Sequence, residues 1–274
     1  MIGRRTDLVI MVLLVLFCFA SHAQASSIKI VAGTSLVEDI VRDLTDGDAE
    51  IVTIIQGSSC PGHENIRTTD FVFAAKADIV LLHAFQKDLP QIASMLDAVN
   101  RPDKPVAILT AKGSWLIPSI QKEAVNDIAA ILCALHPDKT GIIQERAQKR
   151  LAQIDDITKE TLNLLVEIKG KRVIVAQMQS EFVTWAGAEV VDTYGRAEDM
   201  TPTILAKLVD RARRENIAGV IDNYQSGSEA GLPLALELKI PHLVLSNFPG
   251  SSDDAMDYFG LLRHNSNQLL LLNR

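Results

Sequence analysis

The chain reads as an α/β protein of two parallel-sheet lobes joined by one long helix. Three observations predict this. From Ile28 onward, short apolar runs alternate with stretches of helical periodicity, the pattern of parallel βαβ units. That alternation stops at residues 139–168, where Ile143, Ala147, Leu151, Ile154, Thr158, Thr161, Leu165 and Ile168 recur in steps of three and four without a proline, as on one face of an amphipathic helix. After Gly170 the alternation resumes.

Residues 1–25 stand apart from the fold. Arg4 and Arg5 precede an apolar run over residues 8–20, and Ala23-Gln24-Ala25 supplies a small-x-small cleavage pattern before Ser26. The run is too short to span a bilayer, so it predicts a cleavable secretory leader and a periplasmic mature protein. Cys18 follows Phe17 rather than a small residue, so no lipid anchor is expected.

In the first lobe, residues 26–138, strands are expected at 28–33, 51–55, 79–83 and 106–109. Helices are expected at 36–44, 69–75 and 89–98. Residues 139–169 are expected to form the linking helix, about 46 Å long at 1.5 Å per residue. In the second lobe, residues 170–274, strands are expected at 172–176, 190–192, 218–222 and 241–245. Thr201-Pro202 opens a helix, with Thr as cap and Pro in the first turn, and a last helix runs from near Asp253 to Leu272.

Composition bounds the function. The 274 residues are 47% hydrophobic, enough to bury a large core. The full chain carries −7, and loss of Arg4, Arg5 and Asp7 with the leader leaves −8. An acidic chain without a basic run is a poor candidate for binding nucleic acid or anionic lipid. Of three cysteines, Cys60 and Cys133 survive cleavage, too few for a disulfide scaffold. Cys133 lies in a helical apolar stretch and reads as a core thiol.

Chemistry concentrates at strand ends. Cys60 and His63 lie three residues apart in the polar turn after the second strand, and His83 ends the third. Ligand-facing loops of parallel sheets lie at the carboxyl ends of strands, and thiolate and imidazole are metal donors. Gln177 and Gln179 follow the first strand of the second lobe, and Asp222 ends another. His136, His242 and His264 read as structural. One Cys-x-x-His pair is half a metal site, and it could instead serve as nucleophile and base. No Gly-x-Ser-x-Gly, phosphate-loop or dinucleotide fingerprint accompanies it, so the chain does not read as an enzyme.

The ordered motifs resemble the solute-binding proteins of zinc and manganese ABC importers. Gly57-Ser58-Ser59-Cys60-Pro61-Gly62-His63-Glu64-Asn65 is similar to that family's Pro-Gly-x-x-x-Pro-His-x-Tyr loop. Thr68-Thr69-Asp70 resembles its Pro-Ser-Asp helix start, Trp115-Leu116-Ile117-Pro118 its Trp-Leu-x-Pro element, and Leu262-Arg263-His264-Asn265 its closing Met-Arg-Tyr-Asn. The resemblance implies two α/β lobes and a monomer that captures a transition-metal ion and delivers it to a membrane permease. It also implies four ligands, three imidazoles and a carboxylate. Here His63 matches the first, whereas Gly113 and Ser114, residues 176–179 and residues 246–250 occupy the other three places without His, Asp or Glu. Replacement donors are expected from Cys60, His83, Gln177, Gln179 and Asp222. Cys and His favour Cu(I) or Zn(II) over Mn(II). A metal chelate as ligand, or a degenerate adhesin or scaffold, are the alternatives.

Overall fold

The computed structural model describes residues 27–62, 66–99 and 105–273. The leader expected at 1–25 and His63 lie outside them. Among the described residues no helix is long and apolar enough to cross a membrane.

Apolar runs without alternation suit strands covered on both faces, and that is how they are used. The first sheet holds β1 (Lys29–Thr34), β2 (Glu50–Ile55), β3 (Ile79–His83) and β4 (Val106–Leu109) in the order β2-β1-β3-β4, all parallel. The second holds β5 (Arg172–Ala176), β6 (Glu189–Tyr194), β7 (Gly219–Asn223) and β8 (His242–Leu245) in the order β6-β5-β7-β8, also parallel. The two lobes thus share one strand order, although the sequence carries no repeat. Identical topology needs only matching burial patterns, not matching residues.

The helices of the first sheet are α1 (Ser35–Thr45), α2 (Thr68–Ala74) and α3 (Pro90–Ala98). Thr34 caps α1 by accepting from Val37 N. A fourth, α4 (Pro118–Leu135), is read from sequence only at its apolar C-terminal half. In the second lobe α6 (Ser180–Trp185), α7 (Pro202–Glu215), α8 (Tyr224–Gly227) and α9 (Leu232–Leu238) follow their strands. Thr201 caps α7 through Ile204 N, as the Thr-Pro pair predicts.

The long helix, α5 (Thr140–Leu165), has 26 residues and ends in a tighter turn over Val166–Ile168. It packs against α1, α4 and the last helix, α10 (Tyr258–Leu269). The last helix starts five residues later than expected. Asp257 is its cap, accepting from Gly260 N at 2.7 Å, and the preceding turn is closed by Gly250 N donating to Ala255 O. One apolar core runs from Ile28 through both sheets and α5 to Leu272; a second, smaller one lies under α7 and α9.

The buried face of α5 differs from the predicted stripe at Arg150 and Ile157, which take the places read for Leu151 and Thr158. Arg150 is 1% exposed. Its guanidinium is bonded to Asp39 at 2.5 Å and to Asp43, both on α1. Asp39 also accepts from Tyr258 N at 3.2 Å, where α10 begins. Burial raises the Asp39 carboxyl above its ordinary range against the opposing pull of Arg150. Removing one partner of a buried pair strands the other charge, at roughly 3–5 kcal/mol. Arg150→Ala is therefore expected to lower unfolding stability by about that amount in urea titrations, and a loss below about 1 kcal/mol would show the pair to be dispensable.

Candidate ligand cleft

The carboxyl ends of strands from both sheets converge on one cleft of about 510 Å³ between the lobes. The first lobe contributes Cys60, from the loop after β2, and His83, the last residue of β3. It also contributes Trp115, ahead of α4. The second contributes Gln177 and Met178 after β5, Asn223 at the end of β7, and Asn247 just past β8.

His83 is almost wholly buried, its ring against Trp115 at 3.9 Å between centroids. Its Nε2 shares a 2.8 Å hydrogen bond with Thr34 Oγ1, the same hydroxyl that caps α1. Burial pushes the imidazole pKa down to about 3, so the ring is neutral. A neutral imidazole is the form that binds metal, but here one nitrogen is already engaged inside the lobe. Cys60 is half-buried on the cleft wall and its thiol is free, as is that of Cys133. Cys133 packs against the core from α4, with Sγ 3.9 Å from Thr140 O.

The opposite wall is a network of amides. Gln179 is fully buried, and its Nε2 donates to Asn223 Oδ1 at 2.9 Å and Asn247 Oδ1 at 3.0 Å. Asn247 Nδ2 donates to Asn223 Oδ1 at 2.9 Å, and Asn223 Nδ2 to Ser226 Oγ at 2.9 Å. Gln225 ties this wall to the other lobe, donating to Gly57 O and Ser246 Oγ while accepting from Asn247 N. Gln177 lines the cleft, and Gln179 stands behind it, orienting its neighbours.

Asp222 is turned away. Tyr194 Oη donates to its Oδ1 at 2.7 Å, Gly231 N reaches both oxygens at 3.0 Å, and His242 Nε2 lies 2.6 Å from Oδ2. Burial, reinforced by this carboxylate, raises the Tyr194 phenol far above its usual range. Asp222 thus serves the interior of the second lobe and corrects the expectation that it faces the ligand. The strand-end position was read correctly, but consecutive side chains on a strand point to opposite faces, and its neighbour Asn223 takes the cleft side. His264, read as structural, pairs with Asp254 at 2.8 Å.

Two charged residues on the cleft escaped the sequence reading. Glu181 reaches across from α6 and accepts from Ser114 N at 2.6 Å, beside Gly113, whose φ of +95° suits glycine. It occupies the space beside the Gly-Ser pair that stands where the resemblance places an imidazole. Arg196 lies against Gly62, where any Cβ would collide with its guanidinium. Nothing in their local sequence distinguishes them from solvated surface charges. Among the described residues no three of His, Cys, Asp and Glu cluster closely enough to hold a metal ion together.

The family model described as zinc-uptake complex component A, periplasmic, matches residues 30–270. No curated protein matches the chain by sequence. The fold is similar to a Mn-bound periplasmic metal binding protein from Candidatus Liberibacter asiaticus, at a TM-score of 0.76 and 12% identity, covering 89% of this chain and 99% of that one. The Cd-bound form of a periplasmic metal binding protein from that organism gives 0.75 at the same identity and coverage. A structure of TroA, described for its metal binding specificity, gives 0.76 at 16% identity, covering 91% of this chain and 100% of that one. At these identities the likeness establishes the fold.

The burial of His83 has a measurable consequence. An unfolded imidazole takes a proton near pH 6.5, whereas the folded one resists until about pH 3. The unfolded state therefore binds more protons between these values, and stability falls as pH drops below about 6.5, by up to roughly 1.4 kcal/mol per pH unit. In paired urea titrations at pH 7 and pH 5, His83→Gln is expected to flatten this dependence. An unchanged slope would place the titration elsewhere.

Proposed function

The chain belongs to the zinc-uptake complex component A family of periplasmic proteins, and from that premise we propose that it is the substrate-binding protein of an ABC importer. It is exported by the leader at residues 1–25 and works in the periplasm as a monomer without a lipid anchor. It captures a transition-metal cargo (zinc, manganese or copper) between its lobes and delivers it to a membrane permease. The observation that carries this reading is the cleft itself: the strand ends of both sheets converge there, with Cys60 and His83 on one wall. Similar folds are described with manganese and cadmium bound.

Cys60 and His63 are the primary donors in this proposal. His83 joins them by giving up its bond to Thr34, and Gln177 approaches from the second lobe. Gln179 and Asp222 act from behind, through the amide network and the Tyr194–His242 cluster. A thiol and imidazole set selects soft and borderline ions, so zinc and Cu(I) rank ahead of manganese. Both donors must be deprotonated, so affinity declines as pH falls.

Thermal melts of residues 26–274, with thiols reduced, test the reading. Zn(II), Mn(II) and Cu(I) are supplied as salts and as histidine complexes. Cargo at 100 times its Kd stabilises by about 2.7 kcal/mol, on the order of 5 to 10 °C for a chain of this size. A shift of that size with at least one ion, lost in both His63→Ala and Cys60→Ser, is expected. A flat response to every form of all three metals contradicts metal capture.

A further inference from the structure

Resting on the binding-protein reading, we propose that this cleft recognises its metal as a complex with a small amino-carboxylate chelator rather than as a bare ion. The argument starts from which atoms the second lobe presents. Both lone pairs of Asn223 Oδ1 are taken, by Gln179 Nε2 and Asn247 Nδ2. Asn247 Oδ1 accepts from the same Gln179 amide, and Gln225 Oε1 from Asn247 N. Gln179, fully buried, holds the two asparagines in this sense. The oxygens of the two asparagines are thus engaged internally, whereas among the described residues Gln179 Oε1 is buried without a partner.

What remains for a ligand is chiefly protons. Each amide nitrogen has two. Asn223 Nδ2 spends one on Ser226 and Asn247 Nδ2 spends one on Asn223, so each keeps a second. A metal ion needs lone pairs from its protein ligands, and the two asparagines present chiefly N–H groups, which leaves Gln177 as the residue of this wall that meets the metal. The asparagine face matches the oxygens of a carboxylate, which accept hydrogen bonds and are strengthened by a guanidinium, here Arg196 at the cleft, whose Nη1 also lies 3.8 Å from Glu198 Oε1. Glu181 supplies the complementary charge: one of its oxygens takes Ser114 N, and the other is left for an amine.

Size agrees with this. A bare ion with one or two waters fills a small part of 510 Å³, since a water occupies about 30 Å³. Pockets of roughly 300–1,000 Å³ are those of small organic ligands. Trp115 and Phe85 on the first-lobe side offer apolar surface for the chelator's carbon skeleton. In this arrangement the first lobe meets the metal through Cys60, Gln177 meets it from the second lobe, and Asn223, Asn247 and Arg196 meet the organic part.

Calorimetric titration of the metal-free mature chain with zinc salt, histidine, iminodiacetate and the two zinc complexes tests the proposal. At least one complex is expected to bind ten or more times tighter than zinc salt. Arg196→Gln, outside the amide network, should erase most of that advantage. Asn247→Asp, which turns a donor into an acceptor, should weaken the complex tenfold or more while tightening bare zinc. Zinc salt binding as tightly as either complex, with Arg196→Gln silent, overturns the chelate proposal and leaves metal capture standing. Failure of zinc in every form overturns both.

Discussion

The arrangement depends most on a buried guanidinium. Arg150 sits at the middle of the long helix with almost no exposure, and its charge is shared between Asp39 and Asp43 of α1. Because Asp39 also holds the first amide of α10, one ionic cluster fixes α1, α5 and α10 to one another. A buried ion pair is weak as a source of net stability, since desolvation offsets its attraction, but it is strict about geometry. Slippage of α5 along α1 would leave a charge unpaired in the core. The helix is thereby held in register with the first lobe, and α10 carries that register to the second, where Asn265 is bonded to Ser246 beyond β8.

A spine pinned in this way leaves little freedom for wide hinge opening. The lobes also touch directly across the cleft. Ser35 donates to Pro249 O at 2.8 Å, Gln225 to Gly57 O at 2.7 Å, and Glu181 receives Ser114 N. Gly57 is required there because a side chain would run into the backbone at Pro249 and Gly250. On the proposed binding role, cargo entry and release would fall to local changes, in the Glu181 and Arg196 contacts beside Cys60, rather than to rotation of whole lobes.

Much of this was legible in the residues. Strands buried on both faces declare themselves as apolar runs, and the long helix by its period, so the two-lobe plan follows from pattern alone. The strand ends that build the cleft could also be located, together with Cys60, His83 and Gln177 on its walls. What could not be read was orientation and pairing. Nothing local marks Arg150 for burial, which depends on carboxylates more than 100 positions away. Asp222 and Asn223 are adjacent, and only the pleat decides which faces ligand. Gln179 reads singly as a candidate donor, but its role lies in a network with Asn223 and Asn247, which exists only once three strand ends meet.

The central claim is that cargo lies against Cys60 between the lobes, and the rate of Cys60 alkylation tests it most directly. Cys133, the other free thiol among the described residues, sits on α4 away from the cleft and serves as the internal control. Mass-resolved alkylation of the metal-free chain would be followed with and without zinc and histidine together. The account predicts that Cys60 modification slows at least tenfold while Cys133 is unaffected. Equal Cys60 rates under conditions where calorimetry reports binding would place the cargo elsewhere and contradict it.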